Sequence, residues 1–184
     1  FCLKKEITRD SFYSLGYKYL VQLDKWNISD TACDYVFVGN NDVNFETPGT
    51  LGVIYNYKKW MLHKKGYPFL SCNEYLSNSS LSKKLNIIYI CLNDLSNKLI
   101  EKLKHDSTAV LLIDTYNING IAEQRRIFIK LINNKILNPV IIGRAYQNLS
   151  RTELQLDSSI DIGSLLLDGL GDGLFIAAEN CCDD

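Results

Sequence analysis

Two apolar runs in this chain end on polar residues able to hold a ligand. Asp114-Thr-Tyr-Asn117 closes the run 108–113, and Arg144 closes the run 139–143, with Tyr146 close behind. Carboxylates and guanidinium groups at the C-terminal ends of strands stand where α/β folds collect their binding and catalytic groups. Asp114 with Arg125 and Arg126 is one candidate cluster. Its competitor is helix capping by the Asp and Asn residues, with the arginines in surface ion pairs. Arg144 is a candidate anion ligand, or simply a solvated surface cation. Asp168-Gly-Leu-Gly-Asp-Gly173 is the third candidate, because Gly169, Gly171 and Gly173 can turn backbone N–H groups toward a phosphate. Asp168 and Asp172 would repel that phosphate, and neither a G-x-G-x-x-G pattern nor a P-loop lysine is present. A helix-to-strand turn or a domain contact is the alternative for this segment.

Other reactive residue types are weakly placed. His63 and His105 have no Cys, Asp or Glu at ligand spacing. Lys58-Lys-Trp-Met-Leu-His-Lys-Lys-Gly66 mixes cations with Trp60, and an amphipathic helix with a solvated basic face accounts for it. The six cysteines (Cys2, Cys33, Cys72, Cys91, Cys181 and Cys182) show no C-x-x-C spacing, so no disulfide framework is expected and the compartment reads as reducing. Adjacent Cys181 and Cys182 do not suit one metal ion. The glycosylation patterns at Asn27, Asn78 and Asn148 read as accidents of an Asn-rich composition.

The elements that must carry these residues alternate. Continuous apolar runs at 35–38, 51–55, 86–92, 108–113, 139–142 and 173–177 suit strands covered on both faces, about six in all. Leu95, Leu99 and Leu103 recur every four residues on one helical face, with Asp94 or Ser96 as cap and Lys98, Lys102 and Lys104 facing water. Residues 121–136 form a second helix with its stripe on Phe128, Leu131, Ile132 and Lys135. Ser150-Arg-Thr-Glu153 is a capping box that starts a third. Strand-helix-strand units at this spacing predict an α/β fold with a mostly parallel sheet, incomplete or barrel-like, with too few helices for a full eight-fold barrel. Residues 17–23 suit a strand or a short helix, and 66–85 reads as an irregular loop. One domain is expected over 1–184, with 1–30 as a linker or irregular lead-in.

Composition narrows the function class. With 184 residues, the chain can bury roughly 70% of its unfolded surface and fold without staples. A net charge of −1 argues against a general nucleic-acid binder. No apolar run approaches the roughly 18 residues of a membrane span, and the N-terminus lacks a signal-peptide layout. It also lacks an initiator Met, so an excised piece of a longer chain is expected.

The order of these segments resembles the inserted middle domain of the long form of the hydroxymethylbutenyl diphosphate synthase family, the form of plant plastids, Bacteroidetes and apicomplexan plastids. The resemblance rests on residues 106–126, including Ala122-Glu-Gln-Arg-Arg126, on Asn138-Pro-Val-Ile-Ile142, and on 150–173 with its Asp-Gly-Leu-Gly-Asp-Gly segment. Asp34-Tyr-Val-Phe-Val-Gly39 is similar too, so most of 34–179 is covered. The family implies a TIM-like insertion domain in a cytoplasmic or plastid-stroma enzyme of the non-mevalonate isoprenoid pathway. That enzyme opens methylerythritol cyclodiphosphate by two-electron reduction. A preceding barrel binds the diphosphate. A following domain holds a [4Fe–4S] cluster through three cysteines and a glutamate, fed by ferredoxin or flavodoxin. The Cys-Pro-x-Cys-Gly-Arg-Thr context of those ligands does not occur here, so no catalytic, cofactor or metal residue carries over to this chain. A structural spacer is the function implied; the alternative is a free-standing α/β barrel that binds a phosphorylated metabolite.

Overall fold

The computed structural model of the chain describes residues 7–77 and 80–181. Cys2, Cys182 and the Asn78 glycosylation pattern lie outside the described residues. The chain divides into two compact units, Phe1–Pro68 and Phe69–Asp184.

The first unit begins with a 3₁₀ helix, Arg9–Leu15, closed by Gly16 at φ 87°. An antiparallel pair follows, β1 (Tyr17–Leu20) and β2 (Lys25–Ile28). The segment 17–23 thus takes both of its expected forms, a strand and then a 3₁₀ turn over Val21–Leu23. Phe12 is fully buried, with its ring near those of Trp26 and Phe45. β3 (Tyr35–Gly39) and β4 (Gly52–Asn56) pair in parallel, and α1 (Tyr57–His63) follows. α1 matches the expected amphipathic helix in part: Tyr57 and Trp60 are buried and Lys58 is exposed, but the helix ends at His63 and leaves Leu62 exposed.

The second unit is a sheet of five parallel strands in sequence order. These are β5 (Tyr67–Ser71), β6 (Asn86–Ile90), β7 (Ala109–Ile113), β8 (Val140–Gln147) and β9 (Gly173–Glu179). Helices α2 (Cys72–Ser77), α3 (Asn97–Lys104), α4 (Gly120–Asn133), α5 (Arg151–Asp161) and α6 (Gly163–Leu167) lie between them. Each strand lies beside the next one in the chain, which is the winding of a barrel wall; a doubly wound sheet reverses its order. The fold is therefore α/β with parallel strands forming an incomplete, TIM-like barrel wall. Ile88, Ile90, Leu111, Ile113 and Ile142 are wholly buried in the strands, against Leu99, Ile127 and Leu165 from the helices.

The structure corrects several readings of the sequence. Nine strands occur among the described residues, not about six. The segment 66–85 is an irregular loop only in part: Tyr67–Ser71 form β5, whose Phe69–Ser71 pair with β6, Cys72–Ser77 form α2, and 80–85 carry neither helix nor strand. β8 runs on to Gln147, so Arg144 lies inside it rather than at its end. The buried stripe of α4 is Gly120, Gln124, Ile127, Phe128 and Leu131, while Ile132 is 61% exposed, because the helix starts at Gly120 and sets the phase. Ser96, not Asp94, caps α3 by accepting from the Leu99 N–H at 3.3 Å. Lys102 does not face water; its ammonium donates to the Tyr75 carbonyl and lies 4.1 Å from the Tyr75 ring centroid.

Candidate functional site

Beyond the C-terminal ends of β7 and β8, the loop 114–119 and α5 enclose a half-open cleft of about 630 Å³. Asp114 stands at its base. Its Oδ1 accepts from the Thr115 N–H at 2.8 Å, and its Oδ2 accepts from the Tyr89 hydroxyl at 3.2 Å. The Tyr89 hydroxyl also lies 3.1 Å from that of Tyr116. Burial pushes the Asp114 carboxyl above the usual range, outweighing the bonds it accepts and the Arg144 charge. Burial, the Tyr116 bond and the Asp114 charge together drive the Tyr89 hydroxyl far upward.

Arg144 enters from β8 and is buried. Its Nε and Nη2 both donate to Asp161 Oδ2, at 2.8 and 2.7 Å. Its Nη1 donates to the carbonyls of Asn117 at 3.2 Å and Thr115 at 3.4 Å. The Tyr146 hydroxyl donates to the same Asp161 oxygen at 3.2 Å; burial and the Asp161 charge push it up to about 12. One guanidinium thus clamps the last residue of α5 and the loop after β7 onto β8. Gly120 makes room for it, because a Cβ there would lie 2.3 Å from Arg144 Nη1. Below this clamp, Gln124 is fully buried, and its amide donates to the carbonyls of Gly143 at 2.8 Å and Ile113 at 3.3 Å.

The candidate residues read from the sequence divide between two places. Asp114 and Arg144 share the cleft. The glycine segment is a turn at the opposite, N-terminal end of β8: Asp172 accepts from the Val140 N–H through Oδ2 at 2.8 Å and donates its own N–H to the Val140 carbonyl at 2.8 Å. Gly169 and Gly171 take φ of 73° and 89°, and Gly173 opens β9. Arg125 pairs with Asp168 and ties α4 to the end of α6; Arg126 is exposed on α4. Tyr89, Gly120, Gln124 and Asp161 were not legible as site residues. A buried Arg144 implies a carboxylate partner, but no spacing in the sequence identifies it as Asp161.

The cleft has the wrong charge for a phosphate. Asp114, Asp157 and Asp161 line it against the single cation Arg144, whose N–H groups are already engaged. Nor do the described residues fit an iron–sulfur cluster, which takes thiolates. Cys33 is exposed, Cys72 and Cys91 are scattered thiols pushed up by burial, and Cys181 follows β9. Among the described residues, no group of three or more His, Cys, Asp and Glu side chains is placed to hold a metal ion. His63 packs on Tyr55, its Nδ1 accepting from the Lys65 N–H at 3.0 Å.

The fold and cleft define a segment of a TIM-like α/β protein, and its relatives are specific. Over 148 residues the chain is 31% identical to the 4-hydroxy-3-methylbut-2-en-1-yl diphosphate synthase (flavodoxin) of Parabacteroides distasonis, covering 80% of this chain and 24% of that protein. The synthase of the same name from Phocaeicola vulgatus is 24% identical over 144 residues, covering 78% of this chain and 23% of that protein. That of Porphyromonas gingivalis is 33% identical over 96 residues, 51% of this chain and 16% of that protein. The chain is therefore homologous to these synthases and fits a partial domain of their long form, spanning about a quarter of their length. No protein-family model matches the chain, and no solved structure matches it significantly.

Proposed function

We propose that this chain is the inserted middle domain of a long-form 4-hydroxy-3-methylbut-2-en-1-yl diphosphate synthase and acts there as a spacer without chemistry of its own. The observation that carries this reading is the extent of the similarity: it takes in 80% of the chain but only 24% of the relative. The whole protein then performs the two-electron reductive opening of methylerythritol cyclodiphosphate in the non-mevalonate pathway, in the bacterial cytoplasm. The name of these relatives points to flavodoxin as electron donor. The cluster and diphosphate sites belong to flanking domains of the same polypeptide. Among the described residues, no helix is long and apolar enough to cross a membrane.

A spacer contributes by holding two reacting parts in register, and a misplacement of about 1 Å can cost about 100-fold in rate. The cleft's engaged guanidinium and excess of carboxylates favour this reading over the rival, a barrel that binds a phosphorylated metabolite. The test supplies the flanking domains without residues 1–184. Turnover is expected to collapse while the cyclodiphosphate still binds the isolated barrel domain. Full turnover from the separated domains removes the spacer role, and micromolar binding of the cyclodiphosphate to residues 1–184 restores the rival.

A further inference from the structure

The cleft beyond β7 and β8 has a rim that the fold leaves uncovered. Tyr116 and Ile118, on the loop after β7, are 90% and 91% exposed, and Ile160 on α5 is 60% exposed. All three line the cleft. Exposed apolar side chains gathered around a concavity and bordered by polar groups mark an interaction surface. α5 adds to this, because none of its residues is buried and its apolar side chains Leu156 and Ile160 point outward.

The charge inside the concavity selects the occupant. Asp114, Asp157 and Asp161 face one guanidinium, and that guanidinium is held by Asp161 and two backbone carbonyls. Asp157 is exposed. A basic side chain entering this cleft would find the exposed Asp157 carboxylate and the Tyr116 ring among its lining, whereas an acidic one would meet an excess of carboxylates, with Arg144 already held by Asp161.

We infer that this cleft is the docking face through which the domain is fixed to another domain of the same polypeptide, and that its occupant is a lysine or arginine flanked by apolar residues. The inference rests on the spacer reading, since a spacer transmits position only if it is held at both ends. The matched relatives extend well beyond the segment that corresponds to this chain, which covers 24% of the first of them, so such a segment has polypeptide to come from.

The experiment uses the full-length protein with Ile118→Cys, labelled by a thiol reagent and read site by site by peptide mass spectrometry. Labelling in the native protein is compared with labelling in guanidinium. Leu137→Cys, at the other end of β8 and 94% exposed, is the reference. The thiol introduced at position 118 is expected to react about tenfold more slowly than the reference after this correction. Adding Asp157→Lys is expected to abolish that protection, and a bifunctional reagent on the same thiol is expected to join it to a Lys- or Arg-containing peptide outside residues 1–184. Equal labelling at the two positions overturns the inference. So does crosslinking to a second copy or to an acidic segment, or protection that disappears on dialysis and so reports a small cation. None of these outcomes restores turnover to separated flanking domains, so the docking face and the spacer role fail independently.

Discussion

Arg144 shows how a single side chain can organise one end of this fold. Its guanidinium gathers Asp161, Thr115 and Asn117 from two connections, and it does so in the space left by a missing Cβ at Gly120. In an open helix, alanine is favoured over glycine by about 1 kcal/mol. At Gly120 the sign reverses, because the added methyl would stand 2.3 Å from Arg144 Nη1 and 2.7 Å from Thr115 Cγ2. Gly120→Ala is expected to lower stability by about 1–3 kcal/mol, the usual cost of overpacking, as read by denaturant unfolding. Asp114 gives a pH signature. Its folded carboxyl holds a proton more tightly than the unfolded one, so its contribution to stability falls as pH rises from the ordinary carboxylate range through the raised folded value. Asp114→Asn keeps one acceptor oxygen, for the Thr115 N–H, sets an amide N–H2 beside the Tyr89 hydroxyl oxygen, and removes the titration. The variant's stability relative to the parent is therefore expected to climb as pH rises above the ordinary carboxylate range; a constant difference would show that Asp114 is not held in this way.

At the scale of elements, α4 and α5, the helices before and after β8, are held by different means. α4 buries Gln124, Ile127, Phe128 and Leu131 against the sheet. α5 buries none of its residues and depends on its capping box and on the Asp161 clamp. Amides of α5 are therefore expected to exchange well before those of α4. Ser150→Ala, which removes the acceptor for the Glu153 N–H, is expected to cost about 1 kcal/mol and to speed exchange in α5 alone. The turn before β9 offers a paired comparison. A Cβ at Gly169 meets nothing within 4 Å, so alanine there suffers only its positive φ, about 1 kcal/mol. A Cβ at Gly171 would also lie 2.7 Å from Ile142 Cδ1. Gly171→Ala is expected to be the more destabilising of the two by about 1 kcal/mol or more, as measured by thermal or urea unfolding.

For the whole molecule, the consequence of the spacer reading concerns stiffness. A flexible Gly/Ser linker in place of residues 1–184 spreads the flanking domains over many separations, whereas a helical linker confines them. Both replacements are expected to leave substrate binding within a few-fold of the parent. The helical linker is expected to retain more turnover than the flexible one, with kcat for the latter down by about 100-fold. Equal kcat values for the two linkers would show that reach alone is required.

Much of the barrel wall was legible because its strands are continuous apolar runs and its helix caps are local: the Ser150–Glu153 box and Ser96 both act within three residues of themselves. The strand β5 was hidden by its proline and by the Asn/Ser residues beyond α2, since burial of Leu70 against neighbours overrides local propensity. The candidate site was legible only in part. That Asp114 follows the end of a strand is legible from sequence order, whereas the place of Arg144 inside β8 is not. That Arg144 belongs to Asp161 rather than to a phosphate, and that the glycine turn lies at the other end of the sheet, were decided by tertiary structure. A guanidinium's partner is chosen by which carboxylate is desolvated beside it, and here the two residues are 17 positions apart.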